Sequence, residues 1–97
     1  MMDLRFEWDS RKAKSNVLKH RVTFTEAETV FYDENGIDYP DPDHSQSEDR
    51  FILLGLSVGL RVLVVSYCYQ DKESVIRIIS ARKATKKEAR FYGEQMR

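Results

Sequence analysis

The feature that most constrains the fold is a long apolar stretch at residues 51–69, FILLGLSVGLRVLVVSYCY, which small and charged residues interrupt. It is about as long as a membrane-spanning helix, but Arg61 lies near its middle, and an arginine at the centre of a bilayer costs roughly 2.5 kcal/mol or more. Gly59 permits a tight turn, and β-branched residues dominate the second half. The stretch therefore predicts two strands joined by a turn at residues 57–60, and not a membrane span.

The helices are predicted from capping residues and from apolar spacing. Asp9 is a suitable N-cap for a first helix over residues 10–20. Residues 25–28 and 85–88 both have the Thr-x-x-Glu spacing of a capping box, which predicts a short second helix and a C-terminal helix. The side chains expected to face the core are Ala13, Val17 and Leu18 of the first helix, and Ala89, Tyr92 and Met96 of the last.

The remaining strands follow from alternation and from apolar runs. Residues 4–8 alternate apolar and charged side chains, residues 37–39 form a brief strand, and residues 75–80 are apolar on nearly both faces, as in the middle of a sheet. The order is β-α-α-β-β-β-β-α, and a chain of 97 residues makes a single domain over 1–97. An α+β fold with one antiparallel sheet and helices packed on one face is the simplest way to bury these side chains.

The charge is distributed unevenly along the chain, although the formal net charge is zero. Residues 1–24 carry +3 and residues 75–97 carry +5, whereas residues 25–50 carry −8. This pattern is typical of a protein with a polyanion-binding surface and a second, differently charged surface. The single cysteine, Cys68, excludes an internal disulfide and fits a reducing compartment, so we expect a cytoplasmic protein.

The clearest candidates for chemistry are arginines near the predicted sheet. Arg77 interrupts an otherwise apolar strand, so its charge must reach solvent, pair with an acid or line a cleft. Arg50 shares a strand face with Glu48, and Arg82 lies just past the last strand. These residues fit either an arginine–glutamate network that holds the sheet surface together or guanidinium groups that converge on a phosphate.

Other polar positions leave two interpretations open. His20, at the end of the first helix, either transfers protons near neutral pH or caps the helix dipole. Residues 80–87, the densest basic stretch, suit phosphate contacts in RNA as well as a solvated helix surface. Asp41, Asp43 and His44 share a loop without a ligand spacing, so solvated loop residues are a better interpretation than a metal site.

Taken in order, a set of residues spread over almost the whole chain resembles the BrnT family of bacterial toxins, the ribonuclease half of type II toxin–antitoxin pairs. The most specific match is the stretch RIISARKAT at residues 77–85. The other matching residues are Phe6-Glu7-Trp8-Asp9, Lys12, Asn16, Lys19-His20, Phe24, Ala27, Phe31, His44, Glu48-x-Arg50, Gly55, Glu88 and Tyr92. One departure is Arg21, where the family typically has glycine, so the turn after the first helix is expected to differ in shape.

The resemblance implies a RelE-like fold, a small curved antiparallel sheet with helices against it. It implies metal-independent endonucleolytic cleavage of RNA that inhibits translation, with no cofactor. It also implies a cognate ribbon-helix-helix antitoxin, similar to BrnA, in a hetero-oligomer that contacts DNA only through the antitoxin.

Metal-independent cleavage proceeds by attack of the RNA 2′-hydroxyl on the adjacent phosphate, which leaves a 2′,3′-cyclic phosphate and a free 5′-hydroxyl. This step needs a base, an acid and cations around the phosphorane. We assign proton transfer to His20 or Glu48, and the phosphate contacts to Arg50, Arg77 and Arg82, as hypotheses. The residues expected to bind RNA are Lys12, Lys19 and Lys83 on its backbone, and Trp8 or Tyr92 stacked on a base.

Two alternatives remain at this stage. The first is a binding module that holds RNA or a protein without cutting anything. The second is a metal-dependent hydrolase that uses Asp41, Asp43 and His44, which a chelator would inactivate.

Overall fold

The computed structural model describes residues 4–43, 49–70 and 74–96, and its elements follow the predicted order. The strands are β1 (Arg5–Glu7), β2 (Ile37–Pro40), β3 (Arg50–Leu56), β4 (Val62–Gln70) and β5 (Val75–Lys83). The helices are α1 (Ser10–His20), α2 (Phe24–Thr29) and α3 (Lys86–Glu94), with a 3₁₀ turn, Val30–Tyr32, directly after α2. The α+β class and the order of elements are confirmed. No helix in the described ranges is long and apolar enough to cross a membrane.

The five strands form one sheet in the order β1-β5-β4-β3-β2. The pairs β2–β3, β3–β4 and β4–β5 are antiparallel, as expected, but β1 lies parallel to β5. Hairpins fix the direction of neighbouring strands, whereas β1 and β5 are joined only through the rest of the chain. The sheet is therefore mixed, and only its sequence-distant pair departs from the expected direction.

The helices lie on both faces of the sheet, and not on one as expected. The core beneath α2 contains Leu53 and Val65, whereas Tyr92 of α3 packs against Leu54 and Val64. Because successive residues of a strand point to opposite sides, α3 covers the face opposite to α2. The sequence could not predict this, since the central strands are apolar on both faces.

Helix α1 presents Asn16 to the core, where the sequence predicted Val17 and Leu18. The Asn16 amide donates to the carbonyl oxygens of Ala81 at 2.8 Å and Val22 at 2.9 Å, and its oxygen accepts the Ala81 N–H at 3.0 Å. Since β1 pairs only as far along β5 as Arg77, the asparagine supplies the hydrogen bonds that a longer β1 would make. Of the predicted stripe, Ala13 packs against the core, whereas Val17 is 37% exposed and Leu18 is 82% exposed, so the prediction was wrong at those two positions.

The caps and turns agree with the sequence at some positions and not at others. The capping box between Thr85 and Glu88 is present, but α2 is capped by Thr23, two residues before the predicted Thr25. In the β3–β4 turn the left-handed residue is Leu60 (φ 62°), and not Gly59. Arg21 also has a left-handed backbone (φ 58°), so it takes the conformation that glycine adopts most readily.

Candidate active site

Two of the predicted arginines lie in one row across the sheet. Arg50 of β3 pairs with Cys68 of β4, and Cys68 pairs with Arg77 of β5. Paired residues point to the same side and neighbouring strands lie about 4.8 Å apart, which places the two arginine Cα atoms about 10 Å apart. The two guanidinium groups can therefore reach a single anion bound above Cys68.

Arg82 joins the same face because β5 contains a bulge. The pairing passes from Tyr67–Ile78 to Ser66–Ser80, so Ile79 is an extra residue in β5. In a regular strand, residues five apart point to opposite sides; the bulge restores Arg77 and Arg82 to one side. We name the sheet surface that carries Arg50, Arg77 and Arg82 the arginine face. All three arginines predicted from sequence thus share one surface.

Between Arg50 and Arg82 the arginine face carries hydroxyl groups. Ser66 and Ser80 are paired with each other and half-buried, and the same row continues through Ile52 to Tyr39 at the edge strand. Helix α3 packs against the face further along, over Leu54 and Val64. The arrangement combines cations, small polar groups and one exposed aromatic ring, which are the groups that bind a phosphate and its nucleoside.

Arg77 is paired with an acid on the neighbouring strand. Its Nη1 donates to Glu7 Oε2 at 2.6 Å, and both side chains are more than one third exposed. Next to this pair, the N–H groups of Lys12 and Arg11 hold the pKa of Asp9 below its usual value, and the charges of Lys12 and Arg77 add to the effect. Lys12 and Arg77 therefore both lie close to Asp9.

Arg82 is held by a bidentate ion pair with Glu88 of α3. Its Nη1 and Nη2 donate to the two carboxylate oxygens at 2.8 and 3.0 Å, and Glu88 Oε1 also accepts the Thr85 N–H at 2.8 Å. The Arg82 hydrogen bonds, followed by that of the Thr85 backbone, lower the pKa of Glu88 to about 2 despite partial burial. Glu88 is thus ionised at neutral pH, and it fixes Arg82 through the same carboxylate that caps α3.

The structure does not bring His20, Lys19 or Lys83 to the row formed by Arg50, Cys68 and Arg77. Asp9 lies at the Arg77 end of α1, whereas Lys19 and His20 lie at the other end, about 16 Å along the helix axis. Lys83 pairs with the buried Leu63, so it points away from the arginine face, and its charge acts on Glu26. Glu48, like His44, lies outside the described residues.

Neither aromatic residue predicted to stack on a base is available on the arginine face. The Trp8 ring packs against Phe24 at 5.8 Å, in the core on the other side of the sheet. Tyr92 is 4% exposed and donates its hydroxyl to Asp33 Oδ2 at 2.5 Å; burial, followed by that carboxylate, raises its pKa to about 12. We therefore correct the Tyr92 assignment, because its ring is a packing element that ties α3 to the end of the 3₁₀ turn.

The sequence prediction missed four polar residues that the fold gathers on this face: Glu7, Tyr39, Ser66 and Ser80. The serines gave the one usable signal, since both interrupt apolar strands, as Arg77 does. Tyr39 gave no signal, because its position depends on pairing with Ile52.

A metal site receives no support from the described residues. Within residues 4–43, 49–70 and 74–96, no three or more His, Cys, Asp and Glu side chains are grouped closely enough to hold an ion. Asp41 is buried and accepts the N–H of Asp43 at 3.0 Å, an arrangement that shapes the loop. His44, the third residue of the alternative metal site, falls in an undescribed range.

Comparison with known protein families identifies the family to which this chain belongs. The model of a family described as the ribonuclease toxin BrnT of type II toxin–antitoxin systems matches residues 8–88. The chain belongs to this BrnT family. The matched range includes Arg50, Arg77 and Arg82. A toxin of a type II system has an antitoxin as its partner.

A solved BrnT structure supports the same fold. The crystal structure of the Brucella abortus ribonuclease toxin BrnT, at 1.1 Å resolution, matches with a TM-score of 0.67. The match covers 87% of this chain and 100% of that one at 21% sequence identity, and thus shows a shared fold. No curated protein matches this chain.

Proposed function

We propose that this BrnT-family toxin is a metal-independent endoribonuclease that cleaves RNA by attack of a 2′-hydroxyl, with the scissile phosphate bound on the arginine face. The observation that carries the proposal is the row Arg50–Cys68–Arg77, with Arg82 on the same side.

The arginines supply what a pentacoordinate phosphorane requires. Extra negative charge develops on the non-bridging oxygens, and guanidinium groups stabilise that charge with several N–H donors. Glu7 holds Arg77 near this position through one hydrogen bond. Arg50 and Arg77 lie on either side of one phosphate position. Arg82, about 15 Å further along β5, meets the RNA backbone at a neighbouring nucleotide.

Proton transfer is assigned to Glu48, which precedes Arg50 by two residues in the sequence. Glu88 is unsuitable as the base, since a carboxyl with a pKa of about 2 takes up a proton poorly at neutral pH. We place His20 second, because it lies at the far end of α1 from Arg77.

The antitoxin is proposed to be a ribbon-helix-helix protein similar to BrnA that blocks the arginine face, so that the toxin contacts DNA only within the complex. The acidic segment at residues 25–50, with its charge of −8, suits a basic surface of that partner.

The test is an incubation of the antitoxin-free chain with single-stranded RNA in the presence of EDTA, followed by analysis of the fragment ends. We expect cleavage that leaves 2′,3′-cyclic phosphate and 5′-hydroxyl ends. The double variant Arg77→Ala/Arg82→Ala, purified in parallel, should give no fragments while keeping the far-UV circular dichroism of the wild type.

Each alternative has a distinct outcome in this assay. Retention of RNA without fragments indicates a binding module, and cleavage that stops in EDTA indicates a metal-dependent hydrolase. Equal cleavage by the wild type and the double variant would remove the arginine face from consideration.

A further inference from the structure

An apolar groove lies beside the arginine face, between α3 and the edge of the sheet. It has a volume of about 530 Å³, and its lining residues are Ile37, Tyr39, Leu54, Lys87, Glu88 and Phe91. Volumes of about 300–1,000 Å³ are typical of sites that take small organic groups. The groove is therefore large enough for a planar heterocycle.

Two aromatic rings on this groove are open to solvent. Tyr39 is 39% exposed and Phe91 is 47% exposed, although each lies beside buried apolar residues. Exposed rings of this kind offer stacking surfaces, and stacking on an aromatic side chain is the main sequence-tolerant way in which proteins hold bases of single-stranded RNA.

The groove is continuous with the arginine face through one ion pair. Glu88 lines the groove and holds Arg82 by two hydrogen bonds, and the charge of Arg82 also interacts with Tyr39. Lys87 adds an exposed cation at the rim. A nucleotide whose phosphate contacts Arg82 would thus have its base directed towards the two rings.

We infer that this groove is a nucleobase-binding subsite, in which Tyr39 and Phe91 stack on the base of a nucleotide next to the scissile phosphate. The inference rests on the proposed ribonuclease function, and it names the residues that would contact a base of the RNA substrate. The occupant is RNA rather than a protein side chain, because cations flank the rings and the groove opens onto the phosphate-binding surface.

The experiment compares kcat/KM for a short single-stranded RNA and for the same RNA with an abasic residue at each position flanking the cleaved bond in turn. Tyr39→Ala and Phe91→Ala are expected to lower kcat/KM on intact RNA by about 5- to 150-fold, since stacking is worth about 1–3 kcal/mol per base. On RNA that is abasic at one flanking position, the wild type and these variants should cleave at similar rates. Tyr39→Phe, which keeps the ring, should behave like the wild type on both substrates.

The matched control is Tyr32→Ala, which removes a more exposed ring (61%) that contacts Phe6, a residue of the opposite core. It should leave cleavage of both RNAs unchanged. An equal loss on intact RNA and on every abasic RNA would show that Tyr39 and Phe91 act only on the fold, and would overturn the inference.

A second measurement separates this inference from the proposed cleavage. The affinity for the same RNA with 2′-O-methyl groups, which block attack, should fall for Tyr39→Ala and Phe91→Ala even if the wild type cuts nothing. If RNA affinity is unchanged while affinity for the cognate antitoxin falls, the groove belongs to the protein partner and the nucleobase subsite is rejected.

Discussion

Arg77 and Arg82 point to the same side of β5 although five residues separate them, because the extra residue Ile79 shifts the alternation of the strand between them. Without that bulge, one of the two would point into the core beneath α2, where Ile78 and Ala81 are buried. The local irregularity of one strand therefore creates the shared cationic surface.

The first prediction concerns the guanidinium fork of Arg77. Arg77→Ala should lower kcat for RNA cleavage by about 10²- to 10³-fold, the usual loss when a fixed donor to a developing oxyanion is removed. Arg77→Lys should retain part of the activity, because it keeps the charge but not the two parallel donors. Single-turnover cleavage of a defined RNA measures both effects.

Lys14→Ala is the control for Arg77. Lys14 lines a different groove, with Trp8 and Phe24, on the other side of the sheet, and its loss removes one positive charge there. Cleavage should be unaffected. Similar rates for Arg77→Ala and Lys14→Ala would contradict a specific role for the arginine.

The second prediction separates the two roles of Glu88. Glu88→Gln retains a side chain that can complete the capping box, so α3 should stay capped, whereas cleavage should decrease because Arg82 loses its charged partner. Glu88→Ala should reduce cleavage and also cost about 1 kcal/mol of unfolding free energy through the lost cap. If both variants cleave like the wild type, Glu88 does not position Arg82.

The third prediction is a pH dependence of stability that originates at Glu88. Its pKa of about 2 lies below the ordinary value of 4.5, so the folded protein binds this proton less readily than the unfolded chain. The stabilisation is therefore complete above about pH 4.5 and is lost as the pH falls towards 2. The difference in Tm between the wild type and Glu88→Gln should shrink over that range; a constant difference would refute it.

The fourth prediction concerns Asn16 and the open edge of β5. Asn16→Ala leaves the buried N–H and carbonyl of Ala81 without their partner, and unsatisfied buried groups cost about 1–3 kcal/mol each. We expect a loss of about 3 kcal/mol, measured by urea unfolding. The adjacent exposed Ser15→Ala should change stability by less than about 0.5 kcal/mol, and equal effects would count against the edge-pairing role.

The fifth prediction contrasts two glycines. A Cβ at Gly55 would meet Val30 Cγ1 at 2.8 Å and Asp33 Oδ2 at 3.1 Å, so Gly55→Ala should cost about 1–3 kcal/mol. Gly93 in α3 has nothing within 4 Å of the added atom, and Gly93→Ala should stabilise the helix by about 0.5–1 kcal/mol. Opposite shifts in Tm are expected, and a shift of the same sign would contradict the packing described.

Much of the candidate site was predictable because its signals are local. Because Arg77 lies inside an apolar strand, its charge must reach solvent, pair with an acid or line a cleft. The hairpin predicted at residues 51–69 places Arg50, which directly precedes it, on the strand that pairs with the strand of Cys68. The residues proposed to stack on a base were not predictable in this way. Trp8 and Tyr92 are aromatic and near basic residues in sequence, yet packing directs one to the opposite core and buries the other.

The sequence by itself determined the element order, the capping box at Thr85 and Glu88, and the set of arginines, since each depends on residues a few positions apart. Only the tertiary structure decided which surface these residues share. The bulge at Ile79, the parallel pairing of β1 and the position of α3 depend on hydrogen bonds and packing between distant segments. Because the central strands are apolar on both faces, their sequence does not indicate which face a helix covers. The faces that carry the helices and the arginines therefore depend on packing between segments distant in sequence.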